Sequence, residues 1–440
     1  MEAVPPGIRS APIPSPLPNP SPLPISTDEA PRSSDLLVIG AGVMGAWTAF
    51  FAQAGGGGAD GRIGGGRLVT LLDAWGAGHP RASSGDETRI SRAAHGRDAF
   101  YTRWSRRALE QWRRYEQEWG IRLFLPSGVL WFGRSDDGFE ARSAATLQAL
   151  GIPHERLSAD ELTRRWPHIS ADETLRYVLH EPEAGTLLAR RACESVVAAF
   201  QLAGGTYAIA GVRPGTSRGG RLLDVVDLGG RSWSAGSFVF ACGPWLPRLF
   251  PELLGGVIRV TKQDVLYLGP PAGDRSYHWS QLPAWCDYGA VYYGIGATDT
   301  SGMKVAPDRY GPIFDPTRGE RVVDPDSIRL AREYLRRRFP GMSHAPVIET
   351  RVCQYETTVD ANFLLARHPL YDNVWLAGGG SGHGFKHGPR IGEYLVARLD
   401  GTPEGAQDGD EELRFRIGPR TPGSAARTDG DAMAATWDLF

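Results

Sequence analysis

The chain has 440 residues, of which 41% are hydrophobic and 22% are charged, and its formal net charge is −2 at pH 7. This length predicts two or three domains, and the near-neutral charge favours neither nucleic acid nor a membrane surface as a partner. The four widely separated cysteines predict no disulfide framework and no metal site, so a reducing, cytoplasmic compartment is expected.

Residues 1–33 are rich in Pro and Ser and are expected to form a disordered or polyproline arm. Folded structure is expected to begin at "DLLVIGAGVMG", an apolar run that is typical of a buried strand and is followed by a helix-like stretch. A Gly-rich insertion separates that stretch from a second strand-like run, "RLVTLLDA", which ends in Asp73.

The first turn carries the pattern G-x-G-x-x-G, whose glycines are Gly40, Gly42 and Gly45. Such a turn lets the backbone approach a pyrophosphate at a helix N-terminus, and an acid on the next strand can bind ribose hydroxyls. In a Gly-rich chain the pattern could be an ordinary turn, but the strand, helix and acid around it favour a dinucleotide site. The motif does not choose between FAD and NAD.

The middle of the chain alternates between helix and strand patterns. Helices are predicted for "DAFYTRWSRRALEQWRRYEQEWG", "ARRACESVVAAFQLAGG" and "IRLAREYLRRRFP", and strands for "SGVLWFG" and "GSFVFACGPW". The segments "DVLYLG", "GAVYYGIG" and "GMKVA" are typical of an antiparallel sheet. Arg89 and Arg92, in "GDETRISR", would share one face if that segment were helical.

The end of the chain supplies two further signals. "NVWLAGGGSGHGFKHGPRIGEYLVARL" predicts a strand, a glycine turn and a helix, whereas beyond it only "ELRFRI" looks strand-like or packed. Cys353 lies in the polar segment "RVCQYETTVDANFLL", where a buried structural cysteine is not expected, so its thiol is a candidate for reactivity.

Taken in order, these motifs resemble those of the flavoprotein amine oxidases of the monomeric sarcosine oxidase group, which includes N-methyltryptophan oxidase and pipecolate oxidase. The resemblance runs from about Asp35 to about Asp400. It implies an α/β plus α+β fold, in which a Rossmann-like FAD-binding domain is interleaved with a substrate domain built on a large, mainly antiparallel sheet. The implied boundaries are 34–95, 180–250 and 345–402 for the FAD domain, 96–179 and 251–344 for the substrate domain, and 403–440 for a mostly flexible tail.

The resemblance also implies FAD as the cofactor, linked through the sulfur of Cys353 to the flavin. Val212 matches a position whose backbone contacts adenine, and Gly243, Pro244 and Trp245 match a turn that closes over the cofactor. The cofactor-binding residues expected on this basis are Gly40, Gly42, Gly45, Asp73, Val212, Gly243, Trp245, Cys353, Gly382, Gly384, Phe385 and Lys386.

Catalytic roles follow from the same resemblance. Arg92 and Lys386 would bind the carboxylate of an amino-acid substrate, a task that suits an arginine fork and a lysine. Lys304, which follows Tyr293 by the family's spacing, would promote oxygen reduction because a fixed cation stabilises superoxide. Arg89 would lie beside the flavin ring, and Tyr355 would line its edge.

Two positions depart from the family: Ser84 replaces a histidine before the "GDETR" motif, which is one residue longer than usual, and Asp308 replaces another histidine. The resemblance implies that both positions face the substrate region, so a larger secondary amine, a cyclic imino acid or another N-alkyl amino acid is as plausible as sarcosine. The expected function is oxidation of such an amine to an imine by a monomer, with O2 reduced to H2O2. The alternatives are a dehydrogenase of the same fold with another acceptor, a non-catalytic flavin-binding protein, and an NAD-dependent dehydrogenase.

Overall fold

The computed structural model describes residues 33–55, 66–401, 411–418 and 420. The predicted N-terminal arm, the Gly-rich insertion and most of the C-terminal tail lie outside these residues. Within them, the strands are β1 Ser34–Ile39, β2 Val69–Asp73, β3 Thr88–Ser91, β4 Phe124–Leu125, β5 Val129–Gly133, β6 Glu155–Leu157, β7 Tyr177–Glu181, β8 Gly185–Leu188, β9 Thr206–Ile209, β10 Val212–Pro214, β11 Ser217–Arg218, β12 Arg221–Leu222, β13 Asp224–Asp227, β14 Ser232–Phe240, β15 Ile258–Leu268, β16 Ala284–Asp287, β17 Tyr292–Ile295, β18 Met303–Pro307, β19 Val347–Thr358, β20 Leu364–Arg367 and β21 Val374–Gly378. The helices are α1 Val43–Ala54, α2 Ala99–Trp119, α3 Phe139–Ala149, α4 Ala159–Arg165, α5 Ala189–Leu202, α6 Leu246–Leu249, α7 Pro251–Leu254, α8 Pro325–Arg338, α9 Gly388–Leu399 and α10 Glu411–Phe415, with 3-10 turns η1 Gly243–Trp245, η2 Pro340–Met342 and η3 Phe385–His387.

The first large sheet is built around parallel strands. Its main order is β10-β13-β14-β1-β2-β9, and β21 also pairs with β14 in parallel. The central strand β1 is buried along most of its length because helices cover the sheet, which explains why its sequence is a nearly continuous apolar run. The carboxyl ends of β1, β2, β14 and β21 therefore meet at one edge, where open α/β sheets bind ligands.

The second large sheet has the order β19-β15-β18-β17-β16-β5-β7-β6 and is antiparallel except where β16 pairs with β5. Its longest pairing joins β15 to β19 from Ile258↔Thr358 to Leu268↔Val347. A small sheet of three strands has the order β3-β8-β4. The predicted α/β plus α+β fold with a large, mainly antiparallel sheet is confirmed.

Helix α1 packs tightly against α9. A Cβ at Gly392 would come within 2.7 Å of the Trp47 carbonyl carbon, and one at Gly388 would come within 2.4 Å of Val43. Glycine at these positions therefore allows the close helix crossing. Trp47 is fully buried and stacks on Trp119, so the aromatic stripe of α2 closes the same core.

In three places the structure departs from the local sequence pattern. The segment of Arg89 is the strand β3, because it pairs with β8, so a shared helical face does not bring Arg89 and Arg92 together. The "ELRFRI" segment is packed through the fully buried Phe415, but it begins as helix α10 rather than a strand. Strand β19, assigned by sequence to the FAD domain, pairs with β15 in the second sheet. None of the helices in the described part of the chain has the length and apolar character needed to span a membrane.

Candidate active site

A cavity of about 460 Å³ runs from the carboxyl edge of the first sheet to the face of the second. This volume is typical of a site for a cofactor or a small ligand. The predicted site residues that line it are Gly40, Gly42, Asp73, Arg89, Arg92, Val212, Gly243, Trp245, Tyr293, Cys353, Tyr355, Gly382, Gly384, Phe385 and Lys386. The structure thus brings together every predicted site residue except Gly45 and Lys304.

The first glycine turn forms one wall of this cavity. Gly40 has φ +107° and a Cβ there would lie 2.3 Å from the carbonyl oxygen of Ala241, so only glycine fits. Gly45 does not line the cavity, because its Cα packs against the turn and a Cβ would lie 1.9 Å from the Gly40 carbonyl oxygen. The hydroxyl of Ser84 accepts a hydrogen bond from the amide of Val43 at 3.1 Å. Ser84 therefore supports the start of α1 at the cofactor end of the cavity.

Asp73 joins the turn to the following strand. One carboxylate oxygen accepts from the Ala41 amide at 2.7 Å, and the other accepts from the amides of Trp75 and Gly76 at 2.8 Å. Trp75 lies against Trp245, with ring centroids 4.7 Å apart, so η1 and the loop after β2 form an aromatic cover beside Asp73.

These residues fit FAD. Where Gly42 faces the cavity, an added Cβ would meet only the Ser84 hydroxyl, at 3.4 Å, which leaves the backbone open to a phosphate at the N-terminus of α1. The cavity also continues past this turn to Cys353 and Lys386, which leaves room for the flavin half of FAD beyond its phosphates.

Cys353 lies at the far end of the cavity beside a cation. Its Sγ is 3.6 Å from the Nη2 of Arg89, which also donates to the carbonyl oxygen of Ser83 at 2.5 Å. The thiol of Cys353 therefore lies beside a guanidinium, in an electropositive setting of the kind in which reactive cysteines occur. Arg89 also lies over the Phe385 ring, 5.9 Å from its centroid, so it joins the thiol to the final glycine turn.

Lys304 is buried beneath this end rather than exposed in it. Its ammonium forms an ion pair with Asp86 and donates to the Thr88 carbonyl oxygen at 3.0 Å. Asp86 also accepts from Arg89 at 2.8 Å and lies 3.4 Å from Arg351. Burial alone would raise the pKa of Asp86, but Lys304 and Arg89 hold it far below its ordinary value, so Asp86 is an anion. The sequence reasoning did not identify this partner.

Arg92 and Lys386 line the cavity as a pair of buried basic side chains. Arg92 is 7% exposed, donates to the Ala94 carbonyl oxygen and lies 5.1 Å from the centroid of the Trp131 ring. Lys386 donates to the carbonyl oxygen of His383 at 2.8 Å. Burial and the nearby Arg92 hold the pKa of Lys386 well below its ordinary value. Among the described residues, neither cation has a carboxylate within salt-bridge distance.

Two phenols complete the ring end of the cavity. Burial raises the pKa of Tyr293 to about 12 and also raises that of Tyr355, so both remain protonated at neutral pH. They are hydrogen-bond donors there rather than bases. The Tyr355 hydroxyl lies 3.5 Å from a carboxylate oxygen of Asp308, which also lines the cavity.

Glu356 is a cavity residue that sequence reasoning missed. Burial raises its pKa to about 8, although the amides of Gly379 and Gly380 donate to the carboxyl and oppose the shift. Glu356 lies two residues after Gln354 on β19, so the two side chains share one face of the strand. That face can be recognised as buried only from the folded structure. A neutral carboxyl group in a cofactor cavity can donate a hydrogen bond as well as accept one.

Comparisons with known proteins agree with this geometry. Residues 35–398 match the family described as "FAD dependent oxidoreductase". The chain is 30% identical to the peroxisomal sarcosine oxidase of Mus musculus over 82% of this chain and 90% of that protein. It is also 30% identical to the monomeric sarcosine oxidase of Streptomyces avermitilis, over 84% and 94% of the two chains. Its fold matches L-proline dehydrogenase from P. horikoshii with a TM-score of 0.74 at 19% identity, covering 88% of this chain and 98% of that one.

Proposed function

Because this chain belongs to the family of FAD dependent oxidoreductases, and its resemblance to the sarcosine oxidase group is confirmed, we propose that it oxidises a secondary amine that also carries a carboxylate. N-alkyl and cyclic amino acids are the substrate class. FAD, when bound, would accept the hydride equivalent that converts the amine to an imine.

The single observation that carries this proposal is the pair Arg92 and Lys386. Arg92 and Lys386 are buried basic side chains that line one cavity, and among the described residues neither has a carboxylate within salt-bridge distance, although the buried Glu181 lies near both. Charging both side chains is costly in the absence of a further anion. A substrate carboxylate supplies that anion, and its charge would also favour the ammonium form of Lys386. The arginine fork fixes the orientation of the carboxylate, and the substrate nitrogen then points along the cavity.

Cys353 supports a covalent attachment of the cofactor. Cys353 lines the cavity, and the Arg89 guanidinium lies 3.6 Å from its sulfur, where a cation would assist attack by this thiol on the flavin. Tyr293 and Tyr355, both protonated, would hold polar groups of the substrate by donating hydrogen bonds. Arg89 and the amides of the final glycine turn would stabilise negative charge at the same end.

For the electron acceptor we propose O2. Lys304 is a fixed, buried cation behind Arg89 and Tyr293, with its Nζ 5.8 Å from the centroid of the Tyr293 ring. A specific observation favours the alternative, a dehydrogenase with another acceptor: Asp86 forms an ion pair with Lys304 and offsets its charge. The two functions differ in whether H2O2 accumulates under air.

The experiment is a substrate panel with the FAD-loaded enzyme. Loss of flavin absorbance under anaerobic conditions is measured with sarcosine, N-methyl amino acids, proline and pipecolate, each beside the matching amine without its carboxylate. We expect bleaching by carboxylated amines at least tenfold faster. Equal rates for both members of each pair would refute the carboxylate assignment, and absence of bleaching with all amines would favour a non-catalytic flavin-binding protein.

Two further measurements follow on the same preparation. Release of H2O2 on admission of air supports an oxidase, and bleaching without peroxide supports the dehydrogenase. Precipitation with acid tests the attachment: we expect yellow colour in the pellet of the wild type and in the supernatant of Cys353→Ser. Cys242→Ser, another cysteine that lines the cavity, is the matched control and should keep the colour in the pellet.

We also propose that the enzyme acts as a monomer in the cytoplasm on a small-molecule substrate. The relative from Streptomyces avermitilis is named a monomeric enzyme, and the cysteines Cys193, Cys242, Cys286 and Cys353 are all free thiols. Light scattering after size exclusion should give the mass of one chain.

A further inference from the structure

Three buried histidines converge behind the carboxylate-binding end of the cavity. His95 follows strand β3, whereas His383 and His387 belong to the last glycine turn and η3. One ring nitrogen from each lies within 4.8 Å of the others. Their exposed fractions are 2%, 5% and 0%, so water has little access to them.

The hydrogen bonds of these rings leave lone pairs available. His95 has Nδ1 at 2.9 Å from the Ala93 carbonyl oxygen, and His383 has Nε2 at 3.0 Å from that of Ala361. Since a carbonyl only accepts, each of these nitrogens carries the proton, and the other nitrogen of each ring is unprotonated. Within the part of the chain that the structure describes, those two nitrogens and both nitrogens of His387 have no hydrogen-bond partner.

This pattern differs from that of histidines that merely fill a core. A buried polar group without a partner costs roughly 1–3 kcal/mol, and here four such nitrogens occur together. Tyr101 and Phe363 pack against the rings, with centroids 4.8–5.5 Å from those of His383 and His387, and these aromatic contacts satisfy no nitrogen. Donation of the second ring nitrogen to a backbone carbonyl is, in contrast, how metal-binding histidines are usually oriented.

We propose that His95, His383 and His387 bind a first-row transition-metal ion, with Zn²⁺ as the representative. Three imidazoles with Zn–N distances of about 2.0–2.1 Å place their nitrogens about 3.3 Å apart, so small side-chain rotations close the site. Water or hydroxide fills the fourth position. Imidazole ligands suit zinc, copper, nickel and iron, and the site binds in the order of their intrinsic affinities.

Two basic side chains, Arg92 and Lys386, lie near the three histidines. A neutral ring is the form that binds metal, and the carbonyl contacts of His95 and His383 already assign one unprotonated nitrogen to each of those two rings. The same two cations oppose a divalent ion, and a bound hydroxide reduces this repulsion because it lowers the charge of the centre to +1. The sequence predicted no metal because His95 is separated by most of the chain from His383 and His387.

The site would have a positioning role. His95 follows Arg92 by three residues, and His387 is adjacent to Lys386. A metal ion would therefore fix the end of β3 against η3, and with it the two cations assigned to the substrate carboxylate. The metal site itself does not depend on that assignment, since it rests on the rings alone.

The test is the metal content of the FAD-loaded full chain, purified without a polyhistidine tag from zinc-supplemented medium and dialysed. We expect about one zinc per chain. His95→Asn should lower this at least fivefold, whereas His168→Asn, which alters a partly buried histidine outside the cluster that also has an unpartnered nitrogen, should not. Replacement by Co²⁺ should give the visible absorption of a tetrahedral nitrogen-ligated ion in the wild type.

Wild-type protein that stays metal-free after growth in zinc and after incubation with excess Zn²⁺ and Co²⁺ would overturn the proposal. So would zinc retained by His95→Asn. Far-UV circular dichroism and the flavin spectrum establish that this variant is folded. If it is not, His387→Gln replaces it, and the wild-type metal content decides in any case. None of these readouts depends on amine oxidation, so failure of the metal site and failure of the proposed function are distinguishable.

Discussion

Replacement of Glu356 by Gln is expected to change how stability depends on pH. The carboxyl is 7% exposed, and burial raises its pKa from 4.5 to about 8. One pKa unit corresponds to about 1.36 kcal/mol, so ionisation of this group should cost the folded state roughly 4–5 kcal/mol. A pyrophosphate bound in the same cavity adds negative charge and acts in the same direction.

The direction of this pH effect follows from the number of protons bound in the folded and the unfolded state. Below pH 4.5 the carboxyl is protonated in both states, and its contribution to stability is fully present. Between pH 4.5 and about 8 the unfolded chain releases this proton while the folded chain keeps it, so the free energy of unfolding falls as pH rises. Above pH 8 both states are ionised and the loss is complete. Glutamine keeps the size and cannot ionise, so Glu356→Gln removes this part of the pH dependence.

The assay is the melting temperature of the FAD-loaded protein between pH 5 and 8.5. An unfolding entropy of about 2.1 cal/mol/K per residue gives roughly 0.9 kcal/mol/K for 440 residues. We therefore expect the melting temperature of the variant, relative to that of the wild type, to rise by about 5 °C from the acid limit to the alkaline limit. Glu173→Gln, at an exposed glutamate, is the control and should follow the wild type. Parallel profiles for Glu356→Gln and the wild type would refute the reasoning.

Two other predictions concern the charged end of the cavity. Asp86→Asn should destabilise the protein by roughly 3–5 kcal/mol in denaturant unfolding, because Lys304 then stays buried without its counter-ion. Adding Lys304→Met should recover part of the loss, and simple additivity of the two single losses would contradict a direct pair. Arg92→Met should raise the Kd of a small carboxylate such as acetate about 10- to 100-fold, measured by its effect on the flavin spectrum. Affinity for the carboxylate-free amine should change less than threefold, and an equal loss for both would contradict a direct contact.

The sequence predicted best those features that short segments determine. The turn from Gly40 to Gly45, the strand before it and Asp73 after the next strand can be inferred because each depends on neighbours along the chain. The packed final glycine segment was predicted for the same reason. The family resemblance added Cys353, Arg92 and Lys386, whose chemistry alone would have left several interpretations open.

What could not be predicted depends on contacts between distant segments. Asp86 and Lys304 are 218 residues apart, and no local pattern indicates that one neutralises the other. The segment around Arg89 has a spacing that suits a helix, but pairing with β8 makes it a strand, which shows tertiary contacts overriding local preference. Glu356 was missed because its raised pKa comes from burial, which becomes visible only in the folded chain.

The charges along the cavity distinguish residues that would hold a permanent cofactor from residues that would bind an exchangeable ligand. At the middle, Glu356 is kept neutral, so it does not repel a cofactor phosphate at the N-terminus of α1. At the far end, Arg89 and Lys304 share the carboxylate of Asp86, whereas Arg92 and Lys386 have no carboxylate within salt-bridge distance among the described residues. Charge that is balanced within the protein holds the site in shape, while charge left unbalanced is available to a ligand. On this reasoning we propose that Arg89 and Lys304 belong to the permanent cofactor environment, and that Arg92 and Lys386 are the groups that an exchangeable anionic substrate completes.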